Sequence, residues 1–135
     1  MSPFSKDELV TLLTNAGFIA YEYNISDKVV RGVGAFEKVC GYNEAEFNNS
    51  DIHWWTDHMH PEELAANQAV QIKILAKGGF YRGEYRIRSK SGEYVLIRDE
   101  GFASGKDENS KLSARMAGLI SRVHPNENLV PPETV

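Results

Sequence analysis

The stretch Tyr81 to Gly101, YRGEYRIRSKSGEYVLIRDEG, constrains the chain most, because it reads as two alternating strands around a tight reversal. Tyr85 and Ile87 share one face while Glu84, Arg86 and Arg88 occupy the other, which is the period of a half-buried strand. Val95 and Ile97 repeat the pattern after the turn, and Ser91-Gly92 supplies a residue that accepts positive φ at the reversal. An antiparallel hairpin with one core face and one solvent face follows. Arg82, Arg86, Arg88 and Lys90 form a basic alternation along it. Glu84, Glu93 and Asp99 interleave with these cations, so the expectation is a solvated face with cross-strand ion pairs and not a nucleic-acid surface.

The rest of the chain supplies matching elements. Ser5 followed by Glu8 is a capping box, and Leu9, Leu12, Leu13 and Ala16 then make one apolar stripe on a helix that Gly17 stops. That stripe can pack on its own sheet or on a second copy of the chain. FIAYEYNI alternates Ile19, Tyr21, Tyr23 and Ile25 against Ala20, Glu22 and Asn24, and VVRGV pairs back as a second strand. A short helix runs to Gly41 through Phe36, Val39 and Cys40, and Asn43 with Glu46 forms a second capping box. Ile52 to Met59 holds a further turn or two. Pro61 suits the first turn of a longer helix whose dipole Glu62 and Glu63 complement. Ala65, Ala69, Ile72 and Ala76, with Leu75 beside them, are read as its apolar side. Leu112, Ala114, Met116, Gly118 and Ile120 alternate as a final strand behind the polar GKDENS connection, and His124 to Val135 reads as a linker or tail.

A tryptophan pair, Trp54-Trp55, then His60-Pro61-Glu62-Glu63, then a helix, then the central hairpin: this ordered set resembles the PAS sensory domains, in the subgroup whose hairpin reads approximately YRI-x-x-K-x-G-x-Y-x-W-I-x-D-x-G. The resemblance covers roughly residues 17–124. It implies an α/β (α+β) fold, a five-stranded antiparallel sheet with helices across one face. It divides the chain into an N-terminal cap or dimerisation helix at 1–16, the PAS domain at 17–124 and a linker or tail at 125–135. It also implies a sensory or protein-interaction module that regulates a signalling output domain, such as that of a histidine kinase or a cyclase, and no enzyme. Where many PAS domains end in Asp-Ile-Thr, this chain has Arg122, Val123 and His124, and Pro125 disfavours a continuous helical exit.

Composition bounds these readings. With 135 residues and 41% apolar content the chain suits a single core. Its 15 basic and 19 acidic residues, formal net charge −4, offer no overall attraction to nucleic acid or to an anionic membrane. No apolar run reaches the roughly 18 residues of a membrane span, no signal core follows the N-terminus, and Cys40 has no partner for an internal disulfide. A cytoplasmic protein is expected.

Candidate chemistry divides into a pocket and a histidine region. In PAS-like folds the ligand lies between sheet and long helix, and the apolar phases select Tyr85, Ile87, Ile97 and Met116 from strands, Ile72 from the helix and Trp55 before it. Gln68 is the polar candidate, able to hydrogen-bond a ligand if it faces the sheet. The alternative reading is a metal-dependent enzyme or metal-binding protein built on His53, His58 and His60. Pro61 breaks the helix that would align His53, Asp57 and His60, and the His-Glu-x-x-His zinc motif is absent, so no metal ligand and no catalytic residue is assigned. Haem and flavin are both compatible with the resemblance and neither is favoured. The segment Glu62 to Lys77 lacks a histidine for haem, and the Asn-Cys-Arg-Phe-Leu-Gln motif of the light-sensing flavin branch is missing. The expected partners are a second copy of the chain through Leu9, Leu12, Leu13 and Ala16, a small-molecule ligand and the output domain.

Overall fold

Ser5 opens the first helix through the reciprocal bonds its sequence announces. In the computed structural model, which describes residues 3–25, 27–48, 52–106 and 113–123, α1 spans Lys6–Ala16, Glu8 N–H donates to Ser5 Oγ at 3.1 Å and Ser5 N–H to Glu8 Oε1 at 3.0 Å. Gly17 closes it in the left-handed region at φ 84°, where a side chain would be strained. Strands β1 (Phe18–Asn24) and β2 (Val29–Gly34) form the first hairpin, with Tyr21 opposite Gly32. Three short helices follow, α2 (Phe36–Cys40), α3 (Glu44–Asn48) and α4 (Ile52–His58). Asn43 and Glu46 exchange side-chain bonds at 2.8 and 3.0 Å, the second capping box. The long helix α5 spans Pro61–Lys77 with proline in its first turn, and His60 caps it by accepting from Glu62 N–H at 3.1 Å.

The remaining strands are β3 (Gly79–Arg88), β4 (Tyr94–Lys106) and β5 (Ser113–Arg122), and the sheet runs in the order β2-β1-β5-β4-β3 with every neighbour antiparallel. The hairpin turn closes with Ser89 N–H on Glu93 O at 2.8 Å, and Lys90 N–H ties its tip to Cys40 O at 2.9 Å. Ile19, Val39, Cys40, Phe47, Ile87 and Ile97 are the most deeply buried side chains, and they lie where α2, α3 and α4 press on the sheet. Arg86 fastens the start of α5 to β3: its Nε donates to Glu63 Oε1 at 2.9 Å, and its backbone N–H to the other oxygen at 2.8 Å. The interleaved charges pair across strands as expected at Arg98 and Glu84, 2.9 Å apart, and at Arg82 and Glu100, 3.8 Å apart.

Two expected phases need correction. On α5 the side turned inward carries Leu64, Asn67, Gln71, Ile74 and Leu75, whereas Ala65, Ala69, Ile72 and Ala76 are exposed, Ile72 at 68%. Apolar residues occur all round this helix, so period alone chose the wrong side. On α1, Leu9, Leu12 and Ala16 are exposed but Leu13 is half-buried together with Val10 and Thr14. The stripe therefore divides between the chain's own sheet and the surface. The proposed tail at 125–135, Leu112 and the exit at His124-Pro125 lie outside the described residues.

Candidate ligand cavity

Period-two alternation brings Tyr21 and Tyr23 of β1, Tyr81 and Tyr85 of β3, and Ile97 and Asp99 of β4 to the face under the helices. Asp99 is thus an inward carboxylate and not part of the solvated charge pattern. The signal was its parity with Val95 and Ile97, both buried. Across all five strands one register row reads Tyr81, Gly101, Gly118, Tyr21, Gly32. The glycines matter sterically: a Cβ on Gly101 would stand 2.6 Å from the Tyr81 hydroxyl oxygen, and one on Gly118 2.8 Å from that of Tyr21. Two tyrosines from strands on either side of β4 and β5 therefore lean towards each other over bare backbone, and their hydroxyls meet.

The hydroxyls converge on Asp99. Tyr21 donates to Oδ1 at 2.7 Å, Tyr85 donates to Oδ2 at 2.8 Å, and Trp55 Nε1–H donates to the Tyr85 oxygen at 2.9 Å. Burial raises the Asp99 carboxyl from 3.8 to about 6, against the opposing pull of the Tyr21 and Tyr85 bonds. Burial, reinforced by the Asp99 charge, pushes Tyr21, Tyr81 and Tyr85 upward from the ordinary tyrosine value.

Beside this cluster lies a cavity of about 130 Å³ between sheet, α4 and α5. Trp55, Tyr85 and Met116 line it among the residues selected from sequence, and so does Gln68 from the edge of α5. Ile72 does not, because it points to solvent from the far side of α5. Nor do Ile87 and Ile97. Both are buried in the core, Ile87 bridged to Met59 and Ile97 paired with Tyr85 across β3 and β4. Sequence reasoning passed over Asp99, Tyr81, Asn67, Gln71 and Ile74, which contribute to the wall.

The cavity suits neither cofactor weighed from sequence. Sites that enclose drug-sized ligands run to about 300–1,000 Å³, well above this volume. Among the described residues no histidine lines it. His58 accepts or donates at Tyr42 Oη, 3.1 Å, and at Trp54 O, 2.7 Å, and stacks on the Trp54 ring, while His60 caps α5. His53 is exposed on α4, and among the described residues no group of three His, Cys, Asp or Glu could hold a metal ion. Cys40 is buried in α2 with its thiol donating to Phe36 O at 3.4 Å, away from the cavity, and burial raises its pKa.

A family model described as the PAS fold matches residues 32–120, from the end of the first hairpin to the last strand. The chain belongs to the PAS family. PAS domains are sensory modules rather than catalytic ones. The solved PAS-like structures agree on the fold. A sensory box histidine kinase/response regulator from Burkholderia thailandensis superposes with a TM-score of 0.70 at 24% identity, covering 87% of this chain and 86% of that one. The N-terminal domain of a diguanylate cyclase with PAS/PAC sensor from Marinobacter aquaeolei gives 0.65 at 20% identity, covering 78% of this chain and 94% of that one. No curated protein matches the sequence. Among the described residues no helix of this PAS domain is long and apolar enough to cross a membrane.

Proposed function

We propose that this PAS domain senses a small molecule held in the cavity between its sheet and α5, and passes the occupied state to a signalling output domain such as that of a histidine kinase. The carrying observation is the convergence of Trp55, Tyr85, Tyr21 and Tyr81 on Asp99 at the wall of a cavity. A filled structural core seldom retains a carboxylate beside empty space, since burying a charge without a partner is costly. Ligand-binding roles go to Trp55, Gln68, Tyr85 and Met116, with Asn67, Gln71, Ile74, Tyr81 and Asp99 added. No catalytic role is assigned. The buried Cys40 thiol supports a reducing, cytoplasmic setting. The exposed Leu9, Leu12 and Ala16 support a homodimer formed in part through α1.

Filling the cavity tests the reading. Ile74 is half-buried and lines it, so Ile74→Phe should occupy existing space and leave stability within about 1 kcal/mol, whereas a solid core would lose about 1–3 kcal/mol to overpacking. Mass spectrometry of denatured protein should find a co-purifying small molecule in the parent and not in the variant. Marked destabilisation, with nothing bound to the parent, would turn the function towards protein–protein contact alone.

A further inference from the structure

The aromatic cluster around Asp99 at the cavity wall has spent its donors and kept its acceptors. Trp55 N–H is committed to Tyr85, Tyr85 O–H to Asp99 Oδ2, and Tyr21 O–H to Asp99 Oδ1. Because the Tyr21 proton is already used, the contact between the Tyr81 and Tyr21 hydroxyls must be made with the Tyr81 proton. Asn67 follows the same rule on the facing helix: its Nδ2 donates to Glu63 O at 2.9 Å, leaving Oδ1 on the side of Gly83, itself part of the cavity wall. What remains are lone pairs on both Asp99 oxygens, on Tyr81 and on Asn67. Among the described residues no lysine, arginine or histidine pairs with Asp99. Arg82 reaches the wall, but its side chain is 63% exposed and stands towards Glu100.

We propose that the ligand is a compact organic cation carrying N–H donors, such as a primary alkylammonium or an amidinium, with its charge on Asp99 and its body between the tyrosine and tryptophan rings. The inference rests on the sensory-cavity reading and specifies its ligand. Ring faces of Trp55, Tyr21, Tyr81 and Tyr85 attract a cation through their quadrupoles, most strongly where water is thin. Met116, Ile74 and Val30 supply apolar wall for a short carbon chain. A volume near 130 Å³, roughly that of four waters in the liquid, limits the body to a few heavy atoms. A carboxylate ligand would meet Asp99 with like charge and no free donor from the cluster. A neutral alcohol could donate one bond but would leave the Asp99 charge uncompensated.

Three probes that share an n-butyl chain decide the matter: n-butylammonium, n-butanol and n-valerate, each titrated into the whole chain while the Trp55 indole N–H resonance is followed. Saturable movement with n-butylammonium is expected, at least tenfold tighter than with either other probe, and Asp99→Asn should weaken it at least tenfold. The wild-type chain supplies a second arm that needs no variant. Asp99 is faced by Tyr21 and Tyr85 directly and by Tyr81 through Tyr21, with Glu100 next along β4 and Arg82 on β3. Protonation of the carboxyl, at about pH 6, should weaken the cation about tenfold between pH 7 and pH 5. Equal or tighter binding of the alcohol or the carboxylate overturns the cation but keeps the cavity as a ligand site. Cation binding that ignores both pH and Asp99→Asn also overturns it. No movement with any probe, together with an Ile74→Phe variant that is overpacked, overturns both readings.

Discussion

An aspartate that accepts from two tyrosines in a poorly solvated place titrates differently in the native and the unfolded chain. Between about pH 4 and pH 6 the native state keeps the Asp99 proton that the unfolded state has lost, so this group's stabilising contribution is full at acid pH and disappears as pH rises through about 6. The span from 3.8 to about 6 bounds the effect at about 3 kcal/mol. Glu8 and Glu46 act in the opposite sense, because bonds from the Ser5 and Asn43 backbones lower their carboxyls. The comparison is therefore wild type against Asp99→Asn in urea, with the variant's relative stability rising from pH 4 to pH 6 and level above; a level difference throughout would contradict it. The glycines under the tyrosines give a second expectation. Gly101→Ala and Gly118→Ala should each cost about 1–3 kcal/mol, since the added methyl meets a tyrosine hydroxyl and strand backbone at once, while Gly83→Ala, with only Asn67 Oδ1 within 4 Å, should be milder. Asp99 was legible from its parity with Ile97; reading it with the outer charges followed from treating every acid near an arginine as its partner.

At the scale of elements, the capping boxes of α1 and α3, the Pro61 start of α5 and both hairpins could be read directly, because each depends on a few residues close in sequence. The phase of α5 could not. A helix that roofs a cavity has less apolar surface to bury, so amides such as Asn67 and Gln71 turn inward while Ile72 and Val70 remain at the surface. For α1 the division of the stripe sharpens the test of self-association. Leu9→Asp with Leu12→Asp alters exposed positions and should reduce dimer in sedimentation while leaving the thermal transition in place. Leu13→Asp should lower stability instead, because that side chain is half-buried. A wild-type chain that sediments as a monomer at high concentration would remove the basis for α1 as an interface.

For the whole molecule, the row Tyr81, Gly101, Gly118, Tyr21, Gly32 runs through every strand of the sheet. Glycine stiffens a strand least, and three in line carry no side chain on either surface. The consequence is mechanical: this row has the least side-chain packing to resist bending, and the joined Tyr21 and Tyr81 act as a stay across it on the inside. On the proposed reading, a guest on Asp99 would tighten or slacken that stay and alter the outer surface, where Phe80, Phe102 and Leu119 are exposed. Amide hydrogen exchange at Gly101 and Gly118 that slows on occupation, ahead of exchange in the rest of β4 and β5, is the expected mark of such a fold line.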